Sequence, residues 1–380
     1  MKRKLFVAAL CLLALLALIA ASGLLLVQLG VQPICIQQAS GRIRVVRCAV
    51  EPTRPPALQA STALPLAADA QPIIIDTDMA ADDWMAILYL LQRSDVDVKA
   101  ITVAGTGEAH CGPGVQNALN LVALAGRPEM PVACGRETPL KGNHTFPTSW
   151  RERVDNLLGL TLRKNAQNPS GTSAVELLTR MIQGSSRQVQ LIALGPLTNV
   201  AEALEAQPSL AGKVTITIMG GAVHMPGNVG PSSNIDNAVA EWNIYVDPHA
   251  ATVVLSSEAA ITLVPLDATD HAPVTMNFFR GLERDRTTPA AEFIYRVLMQ
   301  KESDIRSGGY YFWDPLAAAI ATQDSLGTFQ ELSVTVIEKE GPESGRTQVS
   351  DSGYKIRVTV AADRARFETL FLDGLNGRLR

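Results

Sequence analysis

Residues 73–91 read IIIDTDMAADDWMAILYLL. Ile73, Ile74 and Ile75 make a short apolar run suited to a buried strand, and Asp76 and Asp78 emerge at its end. Asp82 and Asp83 follow at the start of a helix whose apolar stripe is Trp84, Ile87, Leu88 and Leu91. One carboxylate at a helix N-terminus is ordinary capping and dipole compensation. Four of them between positions 76 and 83 repel one another. A hard divalent cation offsets that repulsion, because calcium and magnesium take carboxylate oxygens.

Downstream of this segment, strand-like and helix-like stretches alternate. VKAITVAG (98–105), VQLIALG (189–195), VTITIMGG (214–221) and AITLVPLD (260–267) read as buried strands. VQNALNLVALAG (115–126), LTNVAEALEAQP (197–208) and DPHAATVVLSS (247–257) read as helices, the last opened by Asp-Pro. The alternation predicts an α/β domain with an open, mostly parallel sheet covered by helices on both faces. In such a domain ligands gather beyond the carboxyl ends of the strands, where the polar residues singled out here lie.

The first seventy residues differ from the rest. Lys2, Arg3 and Lys4 precede an uncharged run from Leu5 to Val27. As a helix it would reach roughly 34 Å, enough to cross a hydrocarbon core of about 30 Å. Residues 1–32 are therefore expected to be an N-terminal transmembrane helix or a cleaved signal segment with its processing site near Ala20-Ala21-Ser22-Gly23. Either way the body is exported, membrane-anchored or secreted. Residues 33–71 read as an extracytoplasmic linker, rich in Pro, Ala and polar residues from Glu51 onward, and 72–380 as the catalytic domain.

A net charge of −4 with no basic cluster after Lys4 gives no sign of a nucleic-acid partner. Cys35 and Cys48 bracket a short basic stretch that could close as a disulfide loop. Cys111 and Cys134 read as free thiols packed in the body. No Cys/His spacing suits zinc. A strand-end Asp-x-Asp also occurs in magnesium-dependent haloacid-dehalogenase-like phosphatases, but the late acidic segment those enzymes need has no counterpart here.

The chain resembles the inosine-uridine-preferring nucleoside hydrolase family. DTDMAADDWMAI (76–87) matches its opening DTDPGxDDxxAI-like motif except at the Pro-Gly, where Met79 and Ala80 stand. GPLTNVA (195–201), MGGAVHMPGN (219–228), AEWNIYVDPHAA (240–251) and WDPLAAA (313–319) match later motifs in the family's order. The resemblance implies a Rossmann-like fold and calcium-dependent hydrolysis of the N-glycosidic bond of a small-molecule nucleoside. It implies that Asp78, Asp83, Asp314 and the carbonyl of Leu194 hold calcium, with Asp78 also the general base. Asp82, Asn228, Glu241 and Asn243 would hold the ribose, Asp76 would support the loop, and homodimers or homotetramers are expected of such a protein.

Many members carry His before the late aspartate, whereas Trp313 stands here. That and Phe146-Pro147-Thr148-Ser149-Trp150 are similar to the purine-specific (inosine-adenosine-guanosine) subgroup. Trp150 and Trp313 would then sandwich a purine. His144, His224 and His271 stand as candidates for protonating the base, with no motif placing them. Asn199 reads as a helix cap. Glu241 and Asn243 alternate about Trp242 as in a strand, which puts them on one face. A tethered, non-catalytic nucleoside-binding protein is the alternative to an enzyme.

Overall fold

The computed structural model describes residues 34–39, 42–47 and 58–379. The chain divides into two compact units, 1–56 and 57–380. In the first, β1 (Ile34–Ala39) pairs antiparallel with β2 (Arg42–Arg47), Cys35 opposite Val46. This hairpin lies within the segment read as linker. The expected membrane segment, and Cys48 with it, lie outside the described residues. Among the described residues no helix is long and apolar enough to cross a membrane.

The second unit holds nine strands: β3 (Gln71–Thr77), β4 (Val96–Val103), β5 (Val132–Cys134), β6 (Val189–Ala193), β7 (Val214–Met219), β8 (Ala260–Val264), β9 (Gly327–Val336), β10 (Thr347–Val349) and β11 (Tyr354–Ala362). They form one sheet in the order β10-β9-β11-β8-β7-β6-β3-β4-β5. From β11 to β5 every pairing is parallel; β9 runs antiparallel to β11, and β10 to β9. Counted from β3, the six strands at the β5 side run 3-2-1-4-5-6, the doubly wound order of the Rossmann fold. Its switch point lies between β3 and β6, where the chain leaves the first strand in one direction and returns in the other.

Side chains alternate across these strands and bury both faces. Ile73, Ile75 and Ile192 enter one core with Trp84, Phe312, Phe367 and Phe371. Ile74, Leu191, Ile216, Ile218 and Leu263 enter the other. Seven helices matter for the site: α1 (Ala81–Leu91), α2 (Cys111–Leu124), α3 (Thr148–Asp155), α4 (Thr198–Ala206), α5 (Trp242–Val246), α6 (Pro248–Leu255) and α7 (Trp313–Thr322). The last of these packs along α1, although more than two hundred residues separate them. This pairing brings the start of one helix beside the start of the other.

Cys111 and Cys134 are not free thiols. The first residue of α2 and the last of β5 are joined by a disulfide, with Cα atoms 5.7 Å apart. Their positions in the sequence carried no pairing signal. The fold returns the chain through α2 so that both stand at the same edge of the sheet.

Candidate active site

A cavity of about 620 Å³ opens beyond the strand ends on the β3/β6 side of the sheet. Asp78, Asp82, Asp83, Trp150, Leu194, Asn228, Glu241, Asn243, Trp313 and Asp314 all line it. These ten come from segments scattered between residues 78 and 314, and the fold collects every one.

The turn after β3 is held by its own side chains. Thr77 Oγ1 donates to Asp83 Oδ1, which also accepts the Asp78 amide at 3.1 Å. Asp78 Oδ1 accepts from the Ala80 amide at 3.1 Å and Oδ2 from the Glu108 amide at 3.2 Å. Trp84 Nε1 donates to the Met79 carbonyl at 2.9 Å, which fixes the outer side of the turn. Met79 has φ +63°. A proline ring locks φ near −65°, so the residue that the family motif carries at this position could not take this backbone. The departure from the motif and the local conformation go together.

Two glycines clasp Asp78. A Cβ on Gly107 would lie 2.1 Å from Asp78 Cβ, and one on Gly195 would lie 2.5 Å from it. The loops after β4 and β6 can close on the aspartate only without side chains there. Gly107→Ala is therefore expected to displace the carboxylate and lower kcat/KM about 100-fold, the cost of a misplacement near 1 Å. Gly171→Ala, which meets open space, should leave turnover unchanged. Steady-state kinetics on the two proteins, with near-ultraviolet dichroism to confirm folding, makes the comparison. Wild-type turnover by the Gly107 variant would show that the clasp is not needed.

Asp82 and Asp83 occupy the first turn of α1, and Asp314 the first turn of α7. One oxygen from each lies within 4.8 Å of the others. Asp83 and Asp314 are almost wholly buried, and Asp83 Oδ2 has no hydrogen-bond partner. Burial, then the neighbouring carboxylates, pushes Asp83 and Asp314 well above the usual aspartate range. Burial and the Asp78 charge push Asp82 up to about 6. Asp78 is likewise raised, chiefly by burial, although the hydrogen bonds it accepts pull the other way. Clustered acids with an orphaned oxygen and only oxygen donors fit a hard metal ion. The tightest grouping thus includes Asp82, assigned to ribose from the motif, while Asp78 joins through its contact with Asp83.

The polar groups across the cavity are anchored by backbone. Glu241 caps α5, its Oε1 accepting from the Asn243 amide at 2.9 Å and its Oε2 from the Gly221 amide at 2.9 Å. The strand-like alternation expected here is overturned: Glu241 and Asn243 share a side because one caps the turn that carries the other. Burial raises Glu241 to about 7. Asn243 Nδ2 donates to the carbonyls of Leu194 at 3.1 Å and Met219 at 3.2 Å, tying the ends of β6 and β7 together. Asn228 Oδ1 accepts from the Trp242 amide at 3.1 Å.

Asp76 does not line the cavity; its Oδ1 accepts from Thr102 Oγ1 at 2.6 Å and Asn199 Nδ2 at 2.8 Å. Asn199 is no cap either. Leu197 occupies the N-cap position of α4, and Asn199 spends its amide on Asp76 and the Val103 carbonyl.

Aromatic side chains also line the cavity. Trp150 on α3 tilts against Trp242 at 5.3 Å, and Trp242 stacks on Phe146 at 5.1 Å. Trp313 meets Tyr310 edge-on at 5.6 Å and Tyr311 at 5.4 Å. None of His144, His224 and His271 lines the cavity; His144 is engaged by the Tyr245 carbonyl and Glu340. The sequence reading missed Glu108, Arg153, Asp270, Lys301 and Asp304, which also face the cavity. Glu108 had a signal, a lone acid in the glycine-containing turn GTGEAH just beyond β4. The other four sit on connecting helices and loops, where no motif marks them.

Comparison with known proteins identifies the family. The family profile described as inosine-uridine preferring nucleoside hydrolase matches residues 73–369. The chain is 33% identical over 290 residues to uridine nucleosidase 1 of Arabidopsis thaliana, spanning 74% of this chain and 82% of that protein. It is 33% identical over 319 residues to the pyrimidine-specific ribonucleoside hydrolase RihA of Klebsiella pneumoniae, spanning 82% and 98%. Among solved structures it is similar to the purine-preferring ribonucleoside hydrolase of Gardnerella vaginalis, with TM-score 0.71 and 29% identity over 81% of this chain and 99% of that one. The chain belongs to the inosine-uridine preferring nucleoside hydrolase family and is a nucleoside hydrolase.

Proposed function

We propose that the protein is a calcium-dependent, purine-preferring ribonucleoside hydrolase that works outside the cytoplasm. The supporting observation is that Asp78, Asp82, Asp83 and Asp314 line one cavity together with Trp150 and Trp313, three of the four acids offering oxygens within 4.8 Å of one another. Calcium held by Asp78, Asp83, Asp314 and the Leu194 carbonyl would make water acidic enough to attack near neutral pH. Asp78 takes the proton from the attacking water, held in place by the amides of Ala80 and Glu108. Asp82, Asn228, Glu241 and Asn243 fix the ribose hydroxyls, with donors and acceptors already oriented by backbone partners. Water adds to C1′ as the bond from C1′ to the base nitrogen breaks. The positive charge that develops on the sugar is stabilised by the acidic floor. The base leaves with a proton from solvent.

Purine preference follows from stacking. A purine offers two rings to the indoles, and each aromatic contact is worth about 1–3 kcal/mol. Trp150→Ala and Trp313→Ala are each expected to raise KM for inosine by about 5- to 150-fold on that basis. The loss should be smaller for uridine. Equal losses for both would remove the stacking argument. The pyrimidine-specific and uridine-specific names of relatives at 33% identity support a second reading, in which uridine is the better substrate. A turnover panel of inosine, guanosine, adenosine, uridine and cytidine, read as free base and reducing sugar, decides between them. Nucleoside binding without release of ribose from any of the five would make the protein a receptor instead. Export is supported by the basic-then-apolar N-terminus and by the Cys111–Cys134 bond, since disulfides persist in oxidising compartments.

A further inference from the structure

The segment 105–111 leaves β4 and enters α2 without forming helix or strand until its last residue. Inward it holds the catalytic turn. The Glu108 amide donates to Asp78 Oδ2 at 3.2 Å, the Ala109 amide to the Asp78 carbonyl at 2.9 Å, and Gly107 packs on Asp78 Cβ. Outward it holds α3, the helix that carries Trp150. Arg151 Nη2 donates to the carbonyls of Gly105 at 3.0 Å and Ala109 at 3.2 Å. The His110 amide donates to Asp155 Oδ1 at 2.9 Å, and His110 Nδ1 lies 2.7 Å from Asp155 Oδ2. One irregular segment thus sets both the proposed base and one indole that lines the cavity.

Such a segment needs a fixed end. Cys111, its last residue, is bonded to Cys134, and Cys134 pairs with Val103, the last residue of β4. The covalent tie returns the segment to the edge of the strand it has just left. We propose that the Cys111–Cys134 disulfide is a positioning element of the active site. It holds the 105–111 segment so that Asp78 and α3 are placed together, and it makes turnover depend on the thiol–disulfide state. Through the roles given to Asp78 and Trp150, this rests on the proposed function. A purely structural bond would stabilise the whole domain by closing a loop and would leave the rate per folded molecule alone.

The test compares the full-length oxidised protein, the same protein reduced with dithiothreitol, and the Cys111→Ala/Cys134→Ala variant. Dithiothreitol gives two electrons and two protons to the S–S bond, leaving two thiols while its own thiols close to a cyclic disulfide. Both cysteines are only partly buried, so the reagent reaches them, and alkylation with peptide mapping confirms that this bond has opened. Reduction is expected to lower kcat about 10- to 100-fold, the usual cost of releasing a group that orients a catalytic ligand. Amide exchange should rise in the peptide covering 105–110 and stay unchanged in those covering β3 and β6. Reoxidation should restore the rate of the wild type. Asp155→Ala, which frees α3 but leaves the donors to Asp78, should move KM more than kcat. Unchanged exchange and unchanged kcat after complete reduction would overturn the proposal, as would exchange rising equally in β3 and β6. Absence of turnover in the oxidised wild type would instead strike the proposed function, and the exchange pattern would still decide this one. If the double alanine variant fails to fold, the chemically reduced wild type carries the comparison.

Discussion

Asp78→Asn is expected to lower kcat by about four orders of magnitude, the upper end of what a positioned general base contributes. Asparagine keeps the shape of the side chain, and its carbonyl oxygen can still accept one of the amides of Ala80 and Glu108 that now bind the carboxylate. The turn after β3 keeps its other fastenings, Thr77 to Asp83 and Trp84 to the Met79 carbonyl. Folding should therefore survive while proton acceptance is lost. The substrate should still bind, because the residues proposed to hold the ribose, Glu241, Asn243 and Asn228, are fixed on other elements. KM should accordingly change far less than kcat. Stopped assays of ribose release at saturating nucleoside provide kcat, and equilibrium binding of the same nucleoside checks that the cavity is intact. A loss below tenfold would remove Asp78 from the role of base.

The parts of this site that were legible in the sequence are those in which chemistry and local structure coincide. Asp78, Asp82 and Asp83 crowd between one strand and one helix, and that crowding is visible without coordinates. The alternation of apolar runs gave the parallel strands β4, β6, β7 and β8, because strands buried on both faces carry little else. The mixed edge made by β9, β10 and β11 was less visible: Thr347–Val349 is three residues long, and β9 is mostly half exposed, so neither has a strong apolar pattern.

Tertiary partners were hidden wherever a residue's role depends on another element. Glu241 looked like one of an alternating pair because its capping of α5 depends on backbone amides that a sequence does not order. Asn199 sits at the start of a helix, where capping is the usual role, and only the approach of β3 and β4 gives its amide better partners in Asp76 and Val103. Cys111 and Cys134 illustrate the same limit, since isolated cysteines at that spacing suit free thiols equally well. Met79 is different again. Its departure from the family motif was plain, but the positive φ that accompanies it is a property of the folded turn.

The acidic floor predicts how the metal-free protein responds to pH. Without a cation, burial raises Asp82 from 3.8 to about 6, Asp76 from 3.8 to about 7, Glu241 from 4.5 to about 7 and Glu108 from 4.5 to about 8. Asp83 and Asp314 are raised well above the usual aspartate range in the same direction. Between roughly pH 4 and 8 the folded protein then binds more protons than the unfolded chain, so stability from these groups is full at low pH and falls as pH rises. The proposed calcium would need the carboxylates ionised, so it should bind the folded state better as pH rises and restore what deprotonation removed. Addition of calcium at about one hundred times its dissociation constant contributes about 2.7 kcal/mol. That corresponds to a rise in Tm of several degrees for a domain of this size. The difference in Tm between calcium-loaded and EDTA-treated protein should therefore be several degrees at pH 8 and should shrink toward zero at pH 5. Taking that difference cancels surface groups, which titrate alike with and without the ion. Turnover should vanish with chelation at every pH and return when calcium is restored. A calcium effect on Tm that is independent of pH, or larger at pH 5 than at pH 8, would mean that these acids are not what holds the ion.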